Sequence, residues 1–473
     1  MTATPNNWPT MNGWEKIATL MVHTVPSVAG GTLMVRPRAR SILHWLTDPA
    51  MVSYFDGLRR KYHGLPLWGP GGTLYLLSSS DAHEMLSQPA TVFSPASAEK
   101  RAMAEGMQPD GLLLSGGELR DRRRELNDEV LDYHHPVPRA ASSDAAIVAF
   151  EVGEVLDSAL VTGRLSWPSV KRMFDRIGRQ VCLGRAARDD EEVTELLTAL
   201  RREGNWFGRL PGARRRSDRC RRRLEDRIGA YATRADSRSL VGSMSDLPVD
   251  GSVRPLGQVP HWLMATALLG PVTMRALALL DSYPRSLVRV LDDLETADRF
   301  HRRGSKDHFL AQPYLTAVIC DAARLWPMVA NLSRVTTEDT SLGGVELESG
   351  TSIMVPAHFL ARSQARGEEA NRFVPERWLS GEAQDNWAYL PFSKGPGSCP
   401  GRDLGIFLIQ EALNSFLRRA TFRGRRSVVG TGEGLPKFNA FWNLAFTVSE
   451  RVTTQSLTDI PVPAAVGRGK ERS

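Results

Sequence analysis

Near its C-terminus the chain reads PFSKGPGSCPGRDLG, residues 391–405. Four glycines and three prolines surround a single cysteine, Cys399. A cysteine in such a loop can be structural, a nucleophile or a metal ligand. No second cysteine or histidine stands at zinc-ligand spacing, which argues against a structural zinc site. A nucleophile needs an activating base close in space, and the sequence does not show one. A lone thiolate can also serve as the axial ligand of haem iron. That role asks for a loop that buries the sulfur and turns backbone N–H groups toward it, since those hydrogen bonds tune the metal. Glycines permit the close approach and the positive φ angles required. The next stretch, IFLIQEALNSFL, reads as a helix whose N-terminal dipole favours the thiolate.

The elements that must hold this loop belong to a chain of 473 residues, 42% hydrophobic and 24% charged, an ordinary globular profile. The four cysteines, Cys182, Cys220, Cys320 and Cys399, are too few and too scattered for a disulfide framework. They fit a reducing, cytoplasmic compartment. The N-terminal stretch has no charged segment followed by an apolar run, so no signal peptide is expected. No stretch approaches the roughly 18 consecutive apolar residues of a membrane span, so a soluble protein is expected. The net charge is +7, and much of the excess lies in the arginine-rich run between Arg201 and Arg238. With no interleaved aromatics and no recognition motif, that run reads as a solvated helix face rather than a nucleic-acid surface, with Glu225 and Asp226 as counter-charges.

Hydrophobic periodicity predicts a mainly α-helical protein with small β-sheets. LPLWGPGGTLYLLSSS, residues 65–80, reads as a hairpin turning at Gly-Pro-Gly-Gly. From Glu118 to Leu280 most segments place apolar residues at helical spacing. HWLMATALLGPVTMRALALLDSYP is apolar nearly all round and predicts a buried helix, bent by Pro271. PYLTAVICDAARLW predicts another helix; VELESGTSIMVP and FNAFWNLAFTV predict strands. No repeat or low-complexity linker divides the chain. The expected organisation is an N-terminal extension over 1–40, one large domain over 41–455 and a flexible tail over 456–473.

The spacing Phe392-x-x-Gly395-x-x-x-Cys399-x-Gly401 resembles the haem-binding signature of the cytochrome P450 superfamily. Other segments resemble the family in its own order. GELRDRRR is similar to the C-helix stretch that contacts the haem propionates. DAARLWP stands where the family has Glu-x-x-Arg on its K helix, and FVPERW is similar to the family's next segment. The resemblance spans about residues 50–450 and is nearest in detail to soluble actinobacterial members.

The resemblance implies the P450 fold: a single triangular helical domain with a β-rich lobe, and haem b (iron protoporphyrin IX) between the I and L helices. Cys399 would be the proximal thiolate, with Phe392, Gly395 and Gly401 shaping its loop. Asp321, Arg324 and Arg377 would form a buried ion network of structural role, with Asp321 one methylene shorter than the family's glutamate. Arg120, Arg124 and Arg334 would hold the propionates, whereas Arg122 and Arg123 are expected to face solvent, on a redox-partner surface. Many members carry His or Arg two residues before the cysteine; here that position is Gly397, an absence for which Arg120 would compensate. Met264, Ala267, Leu268 and Phe438 would line the substrate pocket.

The buried helix departs from the family. An acid–alcohol pair usually stands there to supply protons for dioxygen activation. Counting back from Pro284, those positions fall on Ala267 and Leu268, which carry no titratable group. A second register places Gly270 at the kink and Thr273 as the alcohol. His261, Thr266 and Thr273 are the other polar residues nearby, each read as a satisfied side chain before a relay. The implied activity is a monooxygenase that takes electrons from a ferredoxin and its reductase to oxidise a small molecule in bacterial secondary metabolism, as a cytoplasmic monomer. The missing pair leaves open a non-hydroxylating or peroxide-using catalyst of coupling, cyclisation or rearrangement.

Overall fold

Helices too apolar to be covered by one neighbour pack side by side, and that packing organises the computed structural model of this chain. It describes residues 8–31, 36–207, 211–234, 236–244, 247–248, 250–424 and 434–451. The expected tail over 456–473 lies outside them. Seven helices position the cysteine loop and its surroundings: α1 (Gly117–Val130), α2 (Ala141–Thr162), α3 (Trp167–Leu183), α4 (Val259–Thr266), α5 (Leu269–Ser282), α6 (Pro313–Leu325) and α7 (Arg402–Arg419). Helix α7 is buried almost all round from Leu404 to Leu417. It packs against α2, α5 and α6, while α3 closes the bundle by packing on α2 and α5. The core they share includes Phe174, Ile177, Leu277, Phe407, Leu413 and Phe416. At roughly 25 cal/mol per Å² of apolar surface removed from water, such burial is the main stabilising term.

The buried helix expected from His261 onward is two helices. Residues Ala267 and Leu268 form a turn between α4 and α5. Pro271 has no N–H with which to bond the Ala267 carbonyl four residues back. The chain answers with a tighter bond, Leu268 N–H to Ala265 O at 3.0 Å. Gly270 then lets α5 approach α3 closely: an added Cβ would stand 3.1 Å from the Trp167 ring and 3.2 Å from that of Phe174. By length and composition the 251–282 segment passes for a membrane span, but 78% of its apolar window is buried inside the fold. It is the core of the bundle.

The smaller lobe holds a five-stranded sheet in the order Leu67–Trp68, Leu74–Tyr75, Ser352–Val355, Leu332–Thr336, Phe93–Ser94. The hairpin read from Gly-Pro-Gly-Gly is its first pair, antiparallel, with Leu67 opposite Tyr75. Phe93 pairs with Thr336 and Ser94 with Val335. The helix Pro37–Lys61 runs through the 40/41 boundary expected between extension and domain. The arginine-rich run is the helix Ala213–Ala232, and acids partner it. Arg221 bonds Asp218 and Glu225, Arg216 bonds Glu203, and Arg227 bonds Asp190 and Glu192.

Candidate functional site

The Cys399 loop is fixed from both sides. Gly395 sits at φ +68°, and an added Cβ would run into the Leu86 carbonyl oxygen, so only glycine fits. The Cys399 N–H donates to the Phe392 carbonyl at 2.9 Å, closing the loop on itself. Phe392 packs against the main core. Helix α7 starts at Arg402 with Gly401 as its N-cap, so the sulfur sits at a helix N-terminus. Burial pushes the Cys399 thiol up, while the Gly401 N–H and the charges of Arg124 and Arg402 work against it. Ligation by a metal replaces the thiol proton and settles that balance toward thiolate.

Three cations converge in the smaller lobe. Arg334 lies on the strand Leu332–Thr336, 5% exposed. Lys100 comes soon after the strand that pairs with it, and Lys100 Nζ donates to the Ser333 carbonyl at 3.1 Å. Arg334 Nη1 donates to the same oxygen at 3.0 Å. Arg120 on α1 is 4% exposed, and its Nε and Nη1 have no acceptor. Burial, with Arg334 and Arg120 adding like charge, pushes the Lys100 ammonium down to about 7. Burial and Arg120 push Arg334 down to about 10. Among the described residues no carboxylate forms an ion pair with any of the three; Glu99 acts on Lys100, and Asp121 and Asp128 on Arg120, only from a distance. Buried cations without a counter-ion are costly, and two carboxylates are what this cluster lacks. Haem b carries two propionates, so the residues present fit it. Lys100 was not foreseen from the sequence. The signal was its place in SPASAEKR, after a short apolar run, and only sheet pairing brings it to Arg334.

Gly397 takes its meaning from the same cluster. An added Cβ there would stand 2.7 Å from Arg334 Nη2. The guanidinium of Arg334 thus occupies the space of the donor that the loop lacks, a part the sequence reading had given to Arg120. Arg124 turns elsewhere: its Nη1 donates to the Ser398 carbonyl at 2.5 Å and its Nε to Asp128 at 2.8 Å. It braces the cysteine loop and adds like charge to Arg120 at the edge of the cluster. The expectation that Arg123 faces solvent is corrected. It is 4% exposed and donates to the Val253 carbonyl, to Ser115 and to Asp110. Its place on the inner face of α1 reflects helical phase, three residues on from Arg120. Arg122 is exposed and pairs with Asp250 at 2.7 Å.

Asp321, Arg324 and Arg377 come together. Arg324 Nε lies 2.5 Å from Asp321 Oδ1, and Arg377 Nε 3.7 Å from it. Asp321 also accepts from the Val374 N–H at 2.9 Å and Trp378 Nε1 at 3.1 Å. Arg324 continues to the carbonyls of Ala370 and Arg372. Burial raises the Asp321 carboxyl, but Arg324 outweighs it and the group lies below the usual carboxylate range. The aspartate's short reach is met because Arg324 sits one turn away on the same helix.

In the bundle, Met264 lies on α4, Ala267 and Leu268 form the turn, and Ala265, Leu268 and Leu269 are only half-buried. Thr273 is fully buried, and its Oγ1 donates to the Leu269 carbonyl at 3.0 Å. Thr266 Oγ1 donates to the Leu263 carbonyl, and His261 Nδ1 pairs with Gln108 Oε1. Each polar side chain here has a local partner. Phe438 lies under the Arg40 guanidinium, 5.0 Å from it.

Residues 271–427 match the family model for cytochrome P450. That match covers about a third of the chain, and it includes the Asp321–Arg324 pair and the Cys399 loop. Haem b is that family's cofactor. The chain is 31% identical over 150 residues to cytochrome P450 3A9 of Rattus norvegicus, covering 31% of this chain and 30% of the relative. It is 32% identical over 143 residues to putative cytochrome P450 cyp-13B1 of Caenorhabditis elegans, 30% of this chain and 28% of the relative. It is 34% identical over 113 residues to secologanin synthase 1 of Catharanthus roseus, 23% of this chain and 22% of the relative. The similarity therefore spans less than a third of each relative's length. The family match begins at Pro271, so the turn at Ala267–Leu268 lies before it.

Proposed function

We propose that this chain is a cytochrome P450, a haem-thiolate monooxygenase that oxidises a small organic substrate with dioxygen and electrons from a ferredoxin, in bacterial secondary metabolism. The observation that carries the reading is the pairing of Cys399, at a helix N-terminus beside the Gly401 N–H, with the buried cations Lys100, Arg120 and Arg334. Bound haem supplies one-electron and dioxygen chemistry, its thiolate ligand favouring O–O cleavage. Cys399, held by the Phe392 carbonyl, would be its ligand. Lys100, Arg120 and Arg334 would hold the propionates. Met264, Ala267, Leu268 and Phe438 line the substrate space and exclude water from it. Arg124 holds the Ser398 carbonyl and so keeps the thiolate loop in place. Arg122, exposed and paired with Asp250, is the residue proposed to meet a ferredoxin. Four free cysteines fit a cytoplasmic setting.

A second reading has a specific observation behind it. Neither Ala267 nor Leu268 can hold a proton, and Thr273 spends its hydroxyl on the Leu269 carbonyl. Protons then come from water or substrate, or the enzyme is a peroxide-using or non-hydroxylating catalyst of coupling, cyclisation or rearrangement.

The test is the spectrum of the reduced protein with carbon monoxide. A strongly red-shifted Soret band is expected, and Cys399→Ser should abolish it while haem stays bound. A shifted band that survives in Cys399→Ser overturns the assignment. Product formed with ferredoxin and reductant, compared with product formed with peroxide alone, separates the two readings.

A further inference from the structure

A second group of buried cations lies where α5 meets the segments 326–331 and 434–443. Arg275, on α5, is 5% exposed. Its Nη1 donates to the Trp326 carbonyl at 2.6 Å and its Nη2 to the Asn439 carbonyl at 3.0 Å. Its guanidinium also lies 5.3 Å from the Phe441 ring centre. Arg362 is fully buried and donates to the carbonyls of Leu325, Leu435 and Pro436. Lys437 reaches the Arg362 carbonyl and Asn371 Oδ1. His358, 7% exposed, hangs by its backbone N–H from the Ala330 carbonyl at 3.0 Å. Three elements thus converge here, α5, the helix Ala357–Arg362 and the segment with Lys437, and Arg40 brings more charge beside Phe438.

Among the described residues no carboxylate forms an ion pair with Arg275, His358, Arg362 or Lys437. Asp56 acts on Lys437, and Asp321 on Arg362, only from a distance. Both acids are engaged elsewhere, Asp56 by Ser363 and the Gln364 N–H, and Asp321 by Arg324. Backbone carbonyls satisfy hydrogen bonds but carry only partial charges. Two donor positions remain empty-handed in the buried interior: Arg275 Nε and His358 Nε2 have no partner. Burial pushes Arg275 down to about 9 and Lys437 to about 7, and His358 is held well below its ordinary value by burial and by Arg362, Arg40, Lys437 and Arg275.

We propose that this cluster receives a carboxylate carried by the substrate, with Arg275 Nε, His358 Nε2 and Lys437 as its donors. An acceptor-only group with two oxygens satisfies donors from three separate elements and returns the missing negative charge. The apolar remainder of such a substrate lies along Phe438. This deepens the oxygenase reading and rests on it for the placing of the substrate space beside residues 437–443. Arg275 and Arg362 also staple that segment to the end of α6, which prepares the cluster before a ligand arrives. The substrate class assigned is an organic acid, in which the carboxylate anchors one end and leaves the other end to be oxidised.

Thermal unfolding of the holoprotein tests this with benzoate and its neutral analogue benzamide, at equal concentration and ionic strength. Benzoate is expected to raise the midpoint more than benzamide does, because binding to the native state alone stabilises it. That advantage should vanish in Lys437→Met and, independently, in His358→Gln, so the test survives the misfolding of either variant. An equal effect of the two compounds on the wild type overturns the proposal, and so does an undiminished benzoate advantage in the variants. The carbon monoxide spectrum of Cys399→Ser does not depend on this cluster, so failure here and failure of the haem-thiolate reading are distinguishable.

Discussion

Arg334 fills the space that a side chain at Gly397 would need: a Cβ added there stands 2.7 Å from Arg334 Nη2. The relationship links the cysteine loop to the sheet of the smaller lobe. Gly397→Ala meets the far end of a side chain and should cost little stability, about 1 kcal/mol, while weakening haem retention. Gly395→Ala meets the Leu86 carbonyl oxygen, a backbone atom, at φ +68°. It should cost more, at least about 2 kcal/mol. Denaturant unfolding of the two variants checks the order, and equal losses would contradict it.

The proposed propionate-binding cluster of Lys100, Arg120 and Arg334 predicts graded haem loss. Arg120→Leu and Lys100→Met each remove one charge-assisted partner, worth about 1.5–3 kcal/mol. Haem transfer to apomyoglobin should speed up by about tenfold or more in each. Arg124→Leu should instead disturb the reduced carbon monoxide spectrum, because Arg124 holds the Ser398 carbonyl.

The Asp321 network predicts a steep structural penalty. Arg324→Ala strands a fully buried carboxylate and should cost about 3–5 kcal/mol, seen as little folded holoprotein. The Asp321 carboxyl lies lower when folded than when unfolded. Its contribution is therefore complete above the ordinary aspartate value and is lost as pH falls through the folded value. Asp321→Asn should flatten the acid limb of the stability curve.

Asp144 predicts the opposite slope. It is 2% exposed, its Oδ1 has no partner, and burial, with Asp132 adding like charge, raises its carboxyl to about 8. A raised folded value means stability is greatest below the unfolded value and is lost as pH climbs toward about 8. The slope approaches about 1.4 kcal/mol per pH unit. Asp144→Asn should gain on the wild type progressively from about pH 5 to about pH 8, in denaturant titrations about one unit apart. Parallel stability curves would show that Asp144 does not titrate in this range.

Thr273→Val removes only a hydroxyl bonded to the Leu269 carbonyl. Product formed per reductant consumed should stay unchanged with a confirmed substrate and ferredoxin system. A collapse of that ratio would make Thr273 the proton relay and move the functional kink to Gly270.

Features that depend on neighbours along the chain could be read from the residues alone. The Cys399 loop was legible because glycines at 395, 397 and 401 and prolines at 396 and 400 dictate backbone geometry locally. Asp321 and Arg324 were legible as a pair because one helical turn separates them. The long helices and the 65–80 hairpin came from periodicity and turn residues. Periodicity reports which face is buried and not what it is buried against, so the remaining features belong to the folded chain. Sheet pairing of 93–94 with 335–336 brought Lys100 to Arg334. The phase of α1 put Arg120 and Arg123 inside and sent Arg124 to the cysteine loop. Pro271 announced the bend, four residues beyond Ala267, but only the fold shows what Gly270 approaches there, the rings of Trp167 and Phe174. The second cationic cluster joins residues 275, 358, 362 and 437, far apart in sequence. Charges at that separation meet only once the chain has folded, and no local spacing encodes their meeting.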